Sequence, residues 1–188
     1  MTSSFSDAVL AHLVSRVVPG VDVVFLDTGL HFAETLRVRQ LATERMPVTV
    51  RSIRPRLTVA EQDAEYGTRL YARDPDECCL LRKVEPLERA LDGYDAWAAG
   101  LRRDESPSRA GTPVVGFETG RGKIKVAPLA DWTDADVAAY VARYDVPVNT
   151  LLRQGYASVG CWPCTRRAPP GTDPRAGRGP TFDKTECG

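Results

Sequence analysis

Val21-Asp-Val-Val-Phe-Leu-Asp-Thr-Gly29 is the stretch on which the fold turns. Its first six residues form a β-branched, apolar run. Both faces are apolar, as in a parallel strand buried between two layers. The run ends in the Asp27-Thr28-Gly29 turn. Before it, Ala8, Val9, Leu13, Val14 and Val17 recur at helical spacing. Ser4 or Ser6 is available to cap that helix, and Pro19-Gly20 ends it. After it, the pattern is helical from Phe32 to about Met46, and Pro47 to Ile53 reads as a second strand. Thr58 with Glu61 forms a capping box for a third helix. Strand, helix, strand, helix predicts an α/β fold: a parallel sheet with helices on both faces. Ligands of such sheets bind in loops at the carboxyl ends of strands, where Asp27, Thr28 and Gly29 stand.

Further along, Cys78 to Leu91 reads as a helix interrupted near Pro86, and Asp95 to Leu101 as a strand. Arg102 to Thr112 is a polar loop. Val114–Phe117 and Lys123–Val126 flank Gly120-Arg121-Gly122 as a hairpin. Thr133 caps a helix running to about Tyr144. From Pro147 onward little regular structure is expected, and Arg166 to Gly188, rich in Gly, Pro and Arg, reads as a mobile tail. This divides the chain into an α/β domain over 1–165 and a tail over 166–188. A doubly wound sheet should have a strand before its first helix. Here the helix starts within a few residues of Met1, so that strand is expected to be missing.

The chain has 188 residues, 43% of them apolar, which suits one domain with a sizeable core. With 25 basic and 25 acidic side chains, the balance argues against a dedicated polyanion binder. No stretch approaches the roughly 18 apolar residues of a membrane span, and no signal peptide is evident. A cytoplasmic protein with no membrane or nucleic-acid partner is expected.

The five cysteines are unevenly placed. Cys78 and Cys79 are adjacent, Cys161 and Cys164 form a C-x-x-C, and Cys187 is next to last. An odd count in a reducing compartment argues against a disulfide framework. Four soft thiolates suit zinc or an iron–sulfur cluster. The C-x-x-C fits a zinc knuckle, but adjacent Cys78 and Cys79 diverge and strain a single-ion site. A cubane offers separate iron corners that neighbouring cysteines can take. Zinc, a cluster and unligated thiols all stay open on spacing. A C-x-x-C redox pair lacks its usual βαβ context here. Lys83, with Arg82 before it, either offsets thiolate charge or reaches an anion; a solvated helix face is the plainer reading.

Arg102, Arg103 and Arg109 share one loop, and Arg166, Arg167, Arg175 and Arg178 follow Cys164. Guanidinium forks grip phosphate and sulfate oxygens. Cys187, near Lys184 in the tail, would be a thiolate favoured by nearby cations and able to swing into a pocket as a nucleophile. His12, on a helix face, reads as structural, and His31 follows the Asp27–Gly29 turn.

Together these residues resemble the assimilatory adenylyl-sulfate (APS) reductases of the iron–sulfur, thioredoxin-dependent kind, closest to actinobacterial members. The matching motifs are Phe25-Leu-Asp-Thr-Gly29, Cys78-Cys-Leu-Leu-Arg-Lys-Val-Glu-Pro-Leu87, Gly100-Leu-Arg-Arg-Asp-Glu-Ser-Pro-Ser-Arg109 and Lys125-Val-Ala-Pro-Leu129. They continue through Gly160-Cys-Trp-Pro-Cys-Thr-Arg-Arg167, Asp173-Pro-Arg-Ala-Gly-Arg178 and Lys184-Thr-Glu-Cys-Gly188. The resemblance implies a Rossmann-like, adenine-nucleotide α-hydrolase-type sheet. It implies a [4Fe-4S] cluster on Cys78, Cys79, Cys161 and Cys164, with Cys187 as nucleophile. Lys83, Arg102, Arg109, Arg175 and Arg178 would serve the phosphosulfate, and Ser3, Ser4, Asp27, Thr28 and Gly29 the nucleotide. Cys187 would attack the sulfur of APS, release AMP and keep a sulfonate, which thioredoxin would then remove as sulfite.

The likeness also implies that the chain begins inside the nucleotide loop, without the first strand. That would expose an apolar edge on Val21 to Leu26 and weaken the adenosine site. The family usually continues past Gly188, and often carries Trp where Gly179 stands. Two rivals remain: a phosphoadenylyl-sulfate (PAPS) reductase, and a zinc-stabilised nucleic-acid-binding or tRNA-thiolating protein. The second is disfavoured by the zero net charge and the lack of aromatic-basic interleaving. Homo-oligomerisation is left open.

Overall fold

The computed structural model describes residues 1–169 and 171–179. Cys187 lies outside the described residues. The opening stretch is β1 (Val21–Leu26), and it pairs in parallel with β2 (Val48–Ile53), Val21 opposite Val48 and Leu26 opposite Ile53. Between them runs α2 (Ala33–Arg45). The helix before β1 is α1 (Val9–Ser15), whose cap differs from the expected serines. Asp7 Oδ1 accepts from the Val9 amide at 2.9 Å, while Ser6 Oγ donates to the distant Val159 carbonyl.

A second piece of sheet follows in the chain. β3 (Ala96–Ala98) runs parallel to β5 (Lys123–Val126), and β4 (Val115–Glu118) lies antiparallel on the outer side of β5. Met1–Ser3 joins the two pieces. Thr2 makes a parallel bridge to Val24. The Val24 amide donates to the Met1 carbonyl at 2.8 Å, the Ser3 amide to the Val24 carbonyl at 3.1 Å, and the Thr2 amide to the Ala98 carbonyl at 2.8 Å. A single bridge thus links the two pieces at this point. The exposed apolar edge expected along β1 is closed at its centre, since Val23, Val24 and Phe25 are buried.

Alternation along β1 sends Val23 and Phe25 into the main core, with Phe5, Val9, Leu10, Val38 and Ala42. α7 (Asp134–Tyr144) adds Val137, Tyr140 and Val141 to that face. Each of the large buried side chains contributes on the order of 1.5–3 kcal/mol. The opposite face of β1 and β2 meets α6 (Glu85–Leu91). Helices therefore cover both faces, as the sequence predicts.

The stretch between β2 and β3 departs most from its reading. α3 (Val59–Tyr66) opens on the expected capping box: Glu61 N donates to Thr58 Oγ1, and Thr58 N to Glu61 Oε2. α4 (Leu70–Arg73) and α5 (Pro75–Cys79) follow, with Asp74 capping α5 through the Glu77 amide at 3.0 Å. The helix break comes before Pro86, in a π-helical turn at Leu80–Val84. Pro86 sits in the first turn of α6, where its missing N–H costs little.

Arg166 to Gly179 folds back on the cysteine region. The Arg166 amide donates to the Gly177 carbonyl at 2.8 Å, and the Gly179 amide to the Cys164 carbonyl at 3.0 Å. Arg166 Nη2 also donates to the Gly179 carbonyl at 2.8 Å. Among the described residues, no helix is long and apolar enough to cross a membrane.

Candidate cysteine centre and anion site

Cys78 and Cys79 end α5, just before the π-turn. Cys161 precedes and Cys164 ends a short 3₁₀ turn, Trp162–Cys164. The fold brings the two pairs to the wall of one pocket, lined also by Leu30, Tyr71, Pro75, Arg82 and Lys83. All four thiols are buried and none is in a disulfide. Among the described residues, no three His, Cys, Asp or Glu side chains gather as they would around one ion. Four buried thiols lining one pocket are a soft donor set of the kind that zinc and iron–sulfur groups take.

The Asp27–Gly29 turn touches this chamber. Thr28 Oγ1 lies 3.3 Å from Cys161 Sγ and accepts from the Leu30 amide at 3.2 Å. The Trp162 amide donates to the Leu30 carbonyl at 2.8 Å, and His31 bridges to Cys161. A turn expected beside the nucleotide therefore also buttresses the C-x-x-C. Asp27 is mostly covered and pairs with the exposed Arg54 at 3.5 Å.

Arg82 is the group that sequence reasoning undervalued. It is 3% exposed. Its Nε donates to the Thr28 carbonyl at 2.6 Å, its Nη1 to Gln62 Oε1 at 2.7 Å, and its Nη2 to the Leu57 carbonyl at 3.4 Å. Burial pushes its proton affinity down; the adjacent Cys78 and Cys161 sulfurs oppose that shift. Its partners are scattered along the chain, so no local pattern reveals the network. His31 is similarly tied in, with Nε2 2.8 Å from the Leu26 carbonyl and 3.2 Å from the Thr28 amide. Its pKa is lowered, chiefly by burial, with Lys83 and Arg39 adding to the effect.

The expected anion-binding residues divide into groups. Lys83 lines the cysteine chamber. Arg102 is held by the Trp132 carbonyl at 3.3 Å and Asp134 at 2.7 Å, which gives it a structural duty in the loop after β3. Arg109 pairs with Glu105. Arg175 is buried, and Arg178 donates from Nη1 to Ser158 Oγ at 3.2 Å. Gly160, just before Cys161, leaves room for Arg178: a Cβ there would meet Nη2 at 2.1 Å. Ser3 lies at the carboxyl end of the Met1–Ser3 stub and accepts from the Phe5 amide at 3.1 Å, while Ser4 is exposed. Phe5 is buried in a left-handed conformation, with φ 52°. Such strain in a side chain of this size is typical of loops shaped for a ligand. Ser3, Thr28 and Arg102 follow neighbouring strands at their carboxyl ends, the edge where α/β sheets bind ligands.

The model of the phosphoadenosine phosphosulfate reductase domain matches residues 1–167. An adenosine 5'-phosphosulfate reductase of Streptomyces coelicolor is 61% identical over the whole chain, which covers 80% of that protein. The adenosine 5'-phosphosulfate reductase of Mycobacterium tuberculosis is 51% identical, again over the whole chain and 74% of the relative. Among solved structures, the phosphoadenylyl-sulfate reductase of Candida auris superposes with a TM-score of 0.72 at 30% identity, over 86% of this chain and 80% of that one. An FMN adenylyltransferase of Candida glabrata shares the fold alone, with a TM-score of 0.65 at 14% identity, over 89% of this chain and 56% of that one. With the domain model matched over residues 1–167 and the relatives aligned over the whole of this chain, the chain belongs to the phosphoadenosine phosphosulfate reductase domain family, among its adenosine 5'-phosphosulfate reductases.

Proposed function

We propose that this chain reduces APS to sulfite and AMP in sulfate assimilation, with thioredoxin as reductant. The observation that carries the reading is the meeting of Cys78, Cys79, Cys161 and Cys164 in one buried chamber beside Lys83 and Arg82, in a chain aligned throughout with adenosine 5'-phosphosulfate reductases. In this reading those four thiolates hold a [4Fe-4S] cluster, which supplies fixed charge and rigidity next to the anion site. Residues 1–165 bind nucleotide and cluster, and 166–188 deliver Cys187. The reaction is placed in the cytoplasm, where thiols stay reduced.

The Cys187 thiolate attacks the sulfate sulfur of APS. The S–O bond to the phosphate breaks, AMP leaves with the bonding pair, and the sulfonate stays on Cys187. Both reactants are anionic, so Lys83, Arg109, Arg175 and Arg178 offset their repulsion and the charge growing on the bridging oxygen. A thioredoxin thiolate then attacks the Cys187 sulfur and expels sulfite, leaving a mixed disulfide that its second thiol resolves. Ser3, Ser4 and the Asp27–Gly29 turn orient the nucleotide.

Two measurements test this. Anaerobic purification should yield iron and sulfide together; one zinc without sulfide would remove the cluster. Incubation with APS should add one sulfonate to the intact mass, and a Cys187→Ser chain that still gained it would overturn the nucleophile.

A further inference from the structure

Arg109 is paired with a carboxylate. Glu105 Oε2 pairs with Arg109 Nη1, four residues on, and accepts from the Arg102 amide at 3.3 Å. Its Oε1 lies 3.8 Å from Arg102 Nε. One carboxylate thus ties both ends of the Arg102–Arg109 loop. The pair is sheltered, at 17% exposure for Arg109 and 27% for Glu105, so its attraction is less screened than on an open surface. The neighbouring arginines have partners of their own. Arg102 and Arg103 are each fixed by a backbone carbonyl and by an exposed aspartate, Asp134 and Asp131.

We propose that Glu105 is a resident stand-in for the acidic group of the substrate: it holds Arg109 in place without ligand, and the phosphosulfate of APS displaces it. The inference rests on Arg109 serving the phosphosulfate, as in the proposed function. Arg102 and Arg103 already have Asp134 and Asp131. Glu105, on the loop itself, balances the Arg109 charge and orders its fork before substrate arrives. Binding then becomes an exchange of one anion for another. Glu105 ends the short turn Arg103–Glu105 and can turn toward solvent when released. It is a positioning and specificity residue: neutral ligands do not displace it, and anions must outcompete it.

The test uses the full-length chain carrying Cys187→Ser, purified anaerobically, so that APS binds without reacting. Glu105→Gln keeps the shape and removes the charge. It should tighten APS by about tenfold, leave adenosine unchanged, and shift the free-state Arg102 amide resonance toward its APS-bound position. A purely structural Glu105 would weaken both ligands. APS binding equal to or weaker than that of the Cys187→Ser parent overturns the proposal. If Glu105→Gln does not fold, Glu105→Asp, with its shorter reach to Arg109, is judged by the same criterion, with a smaller gain expected. Should APS fail to bind the Cys187→Ser parent at all, the proposed function falls and takes this inference with it. Should it bind there but no tighter to the Glu105 variants, this inference alone fails.

Discussion

Replacing Arg82 by methionine keeps most of the buried volume and removes the guanidinium. Two short hydrogen bonds go, to the Thr28 carbonyl at 2.6 Å and Gln62 Oε1 at 2.7 Å, with a longer one to Leu57. Bonds from a charged donor contribute about 1.5–3 kcal/mol each, so the two strong ones together represent about 3–6 kcal/mol. Part is offset, because burying a guanidinium carries a desolvation cost that methionine escapes. The orphaned Thr28 carbonyl and Gln62 amide oxygen keep their own desolvation penalty. The expected net loss is about 3 kcal/mol, and the melting temperature should fall by about 6–12 °C for a chain of this size. Urea unfolding of the full chain, followed by far-UV circular dichroism in reducing, metal-free buffer, measures it. Arg82→Lys should recover little, since one ammonium cannot span the two acceptors. A methionine variant within about 1 kcal/mol of the parent would refute the claim that this arginine holds the Thr28 turn against the cysteine chamber.

Gly160→Ala places a methyl 2.1 Å from Arg178 Nη2, at the far end of a flexible side chain. APS affinity should drop about tenfold as Arg178 swings away, while stability changes by less than about 1 kcal/mol; titration calorimetry and thermal melts separate the two. Gly177→Ala instead drives a methyl to 2.2 Å from the Arg166 carbonyl, and should cost about 1–3 kcal/mol in urea unfolding. His31 has a folded pKa below its usual value, so the unfolded chain takes up its proton first as pH falls. Its stabilisation is complete above about pH 6.5 and is lost as pH drops from there toward the folded pKa. His31→Gln keeps a side-chain amide but does not titrate; the difference between the parent and variant stability curves should therefore slope across that window, and a flat difference would contradict the assignment.

What could be read from the sequence is what local chemistry encodes. The Thr58–Glu61 box, the apolar run of β1 and the hairpin around Gly120-Arg121-Gly122 each carry their signal within a few residues. The two cysteine pairs pointed to the four thiols that line one pocket. What was not legible depends on partners far apart in the chain. Arg82 looked like half of a solvated Arg-Lys pair until Thr28, Leu57 and Gln62 closed around it. Thr28 read as a nucleotide-loop residue, though its hydroxyl lies against Cys161. Ser4 or Ser6 read as the cap of α1, but the N-cap position is Ala8, the Val9 amide goes to Asp7, and Ser6 reaches the distant Val159 carbonyl. The Thr2 bridge rests on backbone pairing with two other strands, which no side-chain pattern records.

The π-turn at Leu80–Val84 has a consequence for anyone transplanting this site. A wider turn accommodates one residue more than α-helical winding, and each residue of an α-helix advances the azimuth by about 100°. Cut that residue out, or graft Cys78-Cys79-Leu-Leu-Arg-Lys83 onto a straight scaffold helix, and everything beyond the graft is rotated by that angle relative to the cysteine pair. The motif is thus not a portable hexapeptide. Its meaning includes a phase slip, and a design that copies the letters while regularising the backbone would deliver the sulfurs and the cations to different faces.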